Sequence, residues 1–287
     1  MRAPAIEVER HASLLGRWEI AHRLPPPELR AVVRHYVGWF EQTPGPFRRR
    51  ELPIDAVPVI ISFGDPFLLA DADDGARSRR VSFVAGMHDR WSIVEHAGRS
   101  HGVEIYFTPL GARRVLGLPL GELTNLEVEL EDVLGVRASA ELVERLATAS
   151  GWGARFALLD AAIATRLADA AEPAPLVAWA WRRLRESDGR VAVGALAAEI
   201  GCSRRHLVAQ LREQLGLPPK TLARVLRFNR AVELLQRDDG SRLGEIALAC
   251  GYYDQAHFNR DFRAFAGDPP TAFLASRLPD GAGYAAG

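Results

Sequence analysis

A duplication inside the C-terminal third constrains this chain more than any other feature. The stretch LAAEIGCSRRHLVAQLREQLGLPP, residues 196–219, returns as IALACGYYDQAHFNRDFRAFAGDPP, residues 246–270. Leu196, Ala197 and Gly201 match Ile246, Ala247 and Gly251 at an offset of 50. A one-residue insertion then moves the offset to 51. At that offset His206, Leu207, Leu211, Arg212 and Gly216 meet His257, Phe258, Phe262, Arg263 and Gly267, and Pro218–Pro219 meets Pro269–Pro270. Whatever local fold the first copy adopts, the second must adopt as well.

Each copy reads as two helices joined by a tight turn. The first helix stops at Gly201 or Gly251, where a left-handed backbone is expected. Ser203 or Asp254 then stands in position to N-cap the next helix. That helix carries apolar anchors one turn apart, Leu207/Leu211 and Phe258/Phe262, and ends at a glycine before proline. Ala197 and Ala247 are small enough to let the paired helices approach closely. One such unit is a common packing element; two in tandem point to DNA. The spacer PPKTLARVLRFNRAVELLQRD forms an amphipathic helix. Leu222, Val225, Leu226, Phe228, Val232 and Leu235 fall on one half of its wheel, and Lys220, Arg224, Arg227, Arg230 and Arg237 on the other. The expected units are helix-turn-helix 191–215, linker helix 219–238 and helix-turn-helix 242–267.

On these residues the C-terminal third resembles the DNA-binding domain of AraC/XylS-type transcription regulators. The second copy, IALACGYYDQAHFNRDFRAFAGDPPTAF, is similar to the family signature of helix, Gly-aromatic turn, Asp cap, His-Phe-x-Arg-x-Phe and Gly-x-x-Pro. Tyr252–Tyr253 and Pro269–Pro270 depart modestly from it. A recognition helix reads base edges with its N-terminal, solvent-facing side chains. In the first unit these are Arg204, Arg205, Val208 and Ala209, of which the resemblance implies Arg205, Val208 and Ala209 as base readers. In the second they are Gln255, Ala256, Asn259 and Arg260. Phosphate-contacting or positioning roles are expected for Ser203, His206, Arg212, Lys220, Arg224, Arg227, Asp254, His257 and Arg263. Each arginine has plain solvation as its alternative, and the histidines a structural role.

Charge agrees with this only after the chain is divided. The whole carries 36 basic and 36 acidic side chains, a net of zero. Residues 1–175 hold 20 basic and 24 acidic, a net of −4, which leaves 16 and 12, or +4, for residues 176–287. The acidic part is therefore expected to shield the basic part when no signal is present. No apolar run is long enough to span a membrane, and the segment MRAPAIEVERH lacks a signal peptide's apolar core, so a cytoplasmic protein is expected. Cys202 and Cys250 stand apart, which excludes a disulfide framework and a cysteine-based zinc site. They read as small core residues.

The N-terminal region reads as α+β, with short strands between turn signals: Val57–Phe63, Leu68–Asp71, Val81–Ala85, Trp91–Val94 and Val103–Phe107. A small barrel or sandwich is expected over residues 1–137, with a helix at Pro27–Phe40, where Leu29, Val32, Val33, Tyr36 and Val37 recur at helical spacing. The segment VIISFGDPFLL with YFTPLGARRVLGLPLGELTNLEVEL is similar to cupin-like N-terminal domains found on some AraC-type regulators. Two apolar helices over 138–172 either pack within the chain or pair with a second copy. The AEPAP stretch, 171–175, serves as the linker to an all-α domain at 176–278. Trp39, Phe63, Phe83, Trp91 and Tyr106 are candidates for an effector pocket, with core packing as their alternative. His88, His96, His101, Glu95 and Glu104 lack the spacing of a metal cupin, so no metal and no cofactor is expected.

The reading is a non-enzymatic, sequence-specific regulator of transcription that binds double-stranded DNA as a monomer or homodimer. A small-molecule effector or protein partner would act on its N-terminal domain, and RNA polymerase is a further candidate partner. Two other classes stay open: a cupin-like enzyme fused to a DNA-binding module, and an adaptor that uses its helix pairs for protein contacts.

Overall fold

The computed structural model describes residues 4–71, 75–237, 242–278 and 283–285. Strands occupy its N-terminal part: β1 Ile6–Ser13, β2 Gly16–Arg23, β3 Val33–Gln42, β4 Phe47–Glu51, β5 Val57–Ser62, β6 Phe67–Asp71, β7 Arg77–Arg80, β8 Phe83–Ala85, β9 Ser92–His96, β10 Arg99–Phe107 and β11 Glu127–Glu129. A last short strand, β12 (Tyr284–Ala285), returns from the C-terminal end to pair with β4. These strands form two antiparallel sheets, ordered β1-β2-β3-β10-β5-β8-β11 and β12-β4-β9-β6-β7.

Alternation along the strands separates two environments, because successive side chains leave a sheet on opposite faces. On β10, Val103, Ile105 and Phe107 are buried in the main core, while Glu104 and Tyr106 turn toward the space between the sheets. On β5, Val57, Val59 and Ile61 go to the core, and Pro58 and Ile60 to that same space. Helices α1 (Pro109–Leu116), α2 (Leu130–Leu134), α3 (Val136–Thr148) and α4 (Trp152–Ala168) follow. Their apolar stripes are used inside the chain: Leu146, Phe156, Leu159 and Ile163 all lie buried in the main core.

The helix expected at Pro27–Phe40 is not there. A single 3-10 turn at Pro27–Leu29 leads into β3, which is hydrogen-bonded between β2 and β10. A central strand with both faces covered shows no clean alternation, so its apolar spacing imitates a helix. Its β-branched and aromatic residues, Val33, Tyr36, Val37, Trp39 and Phe40, favour a strand.

The C-terminal part is helical: α5 (Pro175–Glu186), α6 (Val193–Glu199), α7 (Arg204–Leu215), α8 (Pro219–Gln236), α9 (Leu243–Ala249), α10 (Gln255–Ala266) and α11 (Pro270–Ala275). The AEPAP stretch is no free tether. Glu172 pairs with Arg114 of α1 at 2.6 Å, and the Ala174 amide donates to Gln214 Oε1 at 3.4 Å. One continuous core runs from the sheets through α8 to Phe273 of α11.

Candidate nucleic-acid interface

The repeated sequence folds into two helix pairs of equal dimensions. The helices α6 and α9 span seven residues each, and α7 and α10 span twelve. Both turns contain the left-handed glycine that the sequence calls for, Gly201 at φ 71° and Gly251 at φ 77°. Both caps form: Ser203 Oγ accepts from the His206 amide at 3.2 Å, and Asp254 Oδ1 accepts from the His257 amide at 2.6 Å. Leu207, Leu211, Phe258 and Phe262 are fully buried, which fixes the rotation of each second helix about its axis. That rotation decides which side chains face water.

Arg204, Arg205, Val208 and Ala209 are exposed, as are Gln255, Ala256 and Arg260; Asn259 is half-buried. Among the described residues none of Arg204, Arg205, Arg212, Lys220, Arg260 and Arg263 forms an ion pair. The expected shielding by the acidic region therefore takes no ionic form at these side chains. Arg204 and Gln255, the first residue of each second helix, lean back over Gly194 and Gly244 of the preceding helix. Arg205 and Arg260 project freely. Tyr253, to which sequence reasoning gave no role, is 87% exposed in the turn beside Asp254. Its signal was the second aromatic of the Tyr252–Tyr253 pair, whose first member is buried.

Two residues assigned to phosphate contact are engaged elsewhere. The Arg224 guanidinium donates to both carboxylate oxygens of Asp261 at 3.0 and 3.2 Å and lies over the Phe265 ring. Arg227 donates to the Gly189 carbonyl at 2.9 Å and covers Tyr252. Of the polar arc of α8, Arg224 turns to the seam with α10 and Arg227 to the α5–α6 connection, where carboxylate and backbone acceptors wait. His257 sits half-buried at that seam, 3.9 Å from Asp261 and edge-on to Tyr252, whereas His206 is exposed. Cys250 is buried, and that burial pushes its thiol up to about 11.

The comparisons with known proteins decide the family of this part. Residues 196–276 match the family described as "Helix-turn-helix domain" (HTH_18). The transcriptional activator RhaS of Salmonella schwarzengrund (strain CVM19633) is 36% identical over 88 residues, 31% of this chain and 30% of RhaS. Residues 196–276 are therefore a helix-turn-helix domain similar to part of a transcriptional activator. The chain thus spans under a third of the curated relative it matches. Among solved structures, the DNA-binding domain of AdpA, in complex with a target DNA, is 30% identical; the match covers 37% of this chain and 92% of that one, with a TM-score of 0.31. ToxT from Vibrio cholerae is similar over 96% of this chain and 98% of its own, at 12% identity and a TM-score of 0.49. Residues 21–129 match a domain family of unknown function, DUF6597.

Three side chains tie the N-terminal part of the chain to the ends of α7 and α10. Thr124 Oγ1 donates to the Gly216 carbonyl at 2.7 Å, and Arg113 donates to Gln214 at 3.2 Å, both just where α7 ends. Arg50 donates to Asp268 and to the Ala266 carbonyl, where α10 ends. Asp55, between β4 and β5, is gripped by Arg34, lies 3.6 Å from Arg185 of α5, and donates from its backbone amide to Asn229 Oδ1 of α8. The C-terminal ends of α7 and α10 are held, and their N-terminal halves face outward.

Between the two sheets lies a cavity of about 410 Å³. Trp39, Phe83 and Tyr106 line it. Phe63 and Trp91 do not: Phe63 packs edge-on to His101 outside the cavity, and Trp91 lies under Arg50 against Gly267. Phe63 follows the last residue of β5, and Trp91 stands before β9, so neither shares the inward face of a strand. Among the described residues no three His, Cys, Asp or Glu side chains converge as metal ligands. His96 instead lies 3.3 Å from Glu41, which also accepts two hydrogen bonds from Arg49. This cluster holds Glu41 down to about 2 against the opposing cost of burial. No helix among the described residues is long and apolar enough to cross a membrane.

Proposed function

We propose that the chain is a sequence-specific DNA-binding regulator of transcription in which α7 and α10 enter successive major grooves, about 34–36 Å apart. The reading rests above all on one observation: two capped second helices turn unpaired basic and polar side chains to solvent while their far ends are anchored. Arg205 and Arg260 suit guanine O6 and N7, Gln255 and Asn259 suit adenine, and Val208 and Ala209 suit thymine methyls. Arg212, Lys220, Arg263, His206 and the Tyr253 hydroxyl are left for phosphates. Because the two units differ in sequence, one chain reads an asymmetric site. RhaS is named a transcriptional activator and the AdpA domain was seen on DNA, and both agree with this assignment.

The N-terminal part supplies control in this reading. A ligand in the cavity between the sheets, or a partner on that part, would shift how the reading helices are held, and RNA polymerase is the natural partner of an activator. Residues 1–137, 138–172 and 176–278 serve as sensor, helical extension and reader, acting as monomer or homodimer in the cytoplasm, where bacterial DNA is.

Duplex binding measured across salt concentration tests the reading. Contacts to phosphates through four to six cations require log affinity to fall against log salt with a slope of about −4 to −5. A flat dependence, or equal affinity for all sequences, would instead support an adaptor that uses the helix pairs for protein contacts.

A further inference from the structure

We infer that the cavity between the sheets takes a monocationic organic ligand with a flat apolar body, such as an aromatic amine, held between Glu51 and Glu104. This rests on the proposal that the cavity is the control site, and it adds the charge and shape of what enters.

The cavity's cations are already matched. Arg49 is bound by Glu41, Arg50 by Asp268 and the Ala266 carbonyl, and Arg90 lies against Asp71 and Asp89. His88 faces Glu127 at 3.5 Å and His96 faces Glu41. Two lining carboxylates remain. Glu51 ends β4 on one sheet and has no hydrogen bond or ion pair to another described residue; Arg49 acts on it only at a distance. Glu104 stands mid-way along β10 on the other sheet, with the Tyr106 hydroxyl as its partner. Glu104 is half-buried and Glu51 exposed, and both line the cavity. Burial and then mutual repulsion push Glu104 up to about 8, and burial raises Glu51 as well.

A carboxylate with no cation beside it on a largely apolar wall is costly to ionise, and two that repel each other more so. A cation placed between them removes both costs at once. The rest of the wall says what the cation carries. Trp39, Phe67, Phe83 and Tyr106 offer ring faces, and Ile60 and Leu69 fill between them. Aromatic faces attract cations and stack on flat apolar groups. An anion would meet the same carboxylates as repulsion. A neutral ligand would gain the apolar contacts and leave the acids as they were.

Calorimetric titration of the full chain, without DNA, with a matched series decides the matter: tryptamine as the cation, tryptophol as its neutral counterpart and indoleacetate as its anion. Tryptamine should bind at least tenfold more tightly than tryptophol, and indoleacetate not measurably. Glu51→Gln and Glu104→Gln should each lower tryptamine affinity about tenfold or more and leave tryptophol unchanged, with thermal melting showing that each variant is folded. Equal affinities across the series, preference for the anion, no binding of any probe, or unchanged tryptamine binding in folded Gln variants would each overturn the inference. None of those results touches DNA reading, which the salt-dependent assay tests by itself.

Discussion

Arg50 Nη1 lies 2.6 Å from Asp268 Oδ2 and 2.7 Å from the Ala266 carbonyl, so one guanidinium closes the end of α10 while its side chain forms part of the cavity wall. The Trp91 ring lies 5.1 Å away against the same guanidinium, and Arg50 is only 10% exposed. No other residue among those named joins the cavity to a reading helix so directly. Arg50→Ala should lower stability by about 1–3 kcal/mol in urea unfolding, the scale of lost charge-assisted hydrogen bonds at a part-buried site. It should also weaken any effect of a cavity ligand on duplex affinity. A variant as stable as the parent that still transmits the ligand's effect would remove Arg50 from the coupling path.

Arg224 holds Asp261 across the seam between α8 and α10, with the aspartate side chain 13% exposed. Removing the cation leaves a nearly buried carboxylate with the His257 ring 3.9 Å away. Arg224→Ala should therefore cost about 1–3 kcal/mol of stability. Measured below its melting temperature, the variant should keep the parent's salt slope for DNA. Arg212→Ala, by contrast, should leave stability nearly unchanged and reduce the slope by about one. A reversal of these two signatures would return Arg224 to the phosphate contacts.

The helix pairs were legible because their grammar is local. A glycine stop, a Ser203 or Asp254 cap and apolar anchors one turn apart all sit within some dozen residues, and each acts on its own segment. The misread β3 shows the opposite case: its spacing became a strand through pairing with β2 and β10, which lie far away in the chain. The partner of Arg224 was hidden for a similar reason, since the wheel of α8 says which side is polar but not that Asp261 waits there. Glu51 and Glu104 were hidden too, although the alternation of Val103, Ile105 and Phe107 with Glu104 and Tyr106 marked a strand with an unusual polar inner face. The contact of Arg50 with Asp268 spans most of the chain and leaves no local mark.

The two caps offer a check on the equivalence of the repeats. Ser203→Ala and Asp254→Ala should each lower stability by about 0.5–2 kcal/mol, with the aspartate at the higher end because its carboxylate also faces the helix dipole. Glycine at either position should cost only a few tenths. Thermal melting of the two singles and the double should give nearly additive losses, because the caps lie in separate units. A loss at one site alone would break the parallel between the copies.

Arg205 projects from α7 with no internal partner, so its loss should act on DNA and not on the fold. Arg205→Ala should weaken specific binding by about 1–3 kcal/mol and relax selection at one base pair, while the melting temperature stays within error. Competition binding against duplexes varied at each position reads both effects. Uniform weakening across all sequences would make Arg205 a phosphate contact.

Glu104 gives the empty protein a pH dependence whose direction follows from its raised value. Its carboxyl loses its proton near 4.5 in the unfolded chain but near 8 in the fold, because of burial first and the Glu51 charge second. Between those values the fold holds a proton that the unfolded chain has released, so stability from this group falls as pH rises from about 4.5 to about 8. The groups acting on it are Glu51 from β4 and Tyr106 from its own strand, with His35 stacked on Tyr106 at 4.3 Å. Burial lowers His35 to about 4, so that ring stays neutral over most of the window. Glu104→Gln should therefore match the parent near pH 4 and exceed it by about 1–3 kcal/mol at pH 9, a figure reduced from the full shift for water in the cavity. Urea unfolding of both proteins across that range reads the difference. A constant gap at every pH would mean that Glu104 ionises as an ordinary carboxylate.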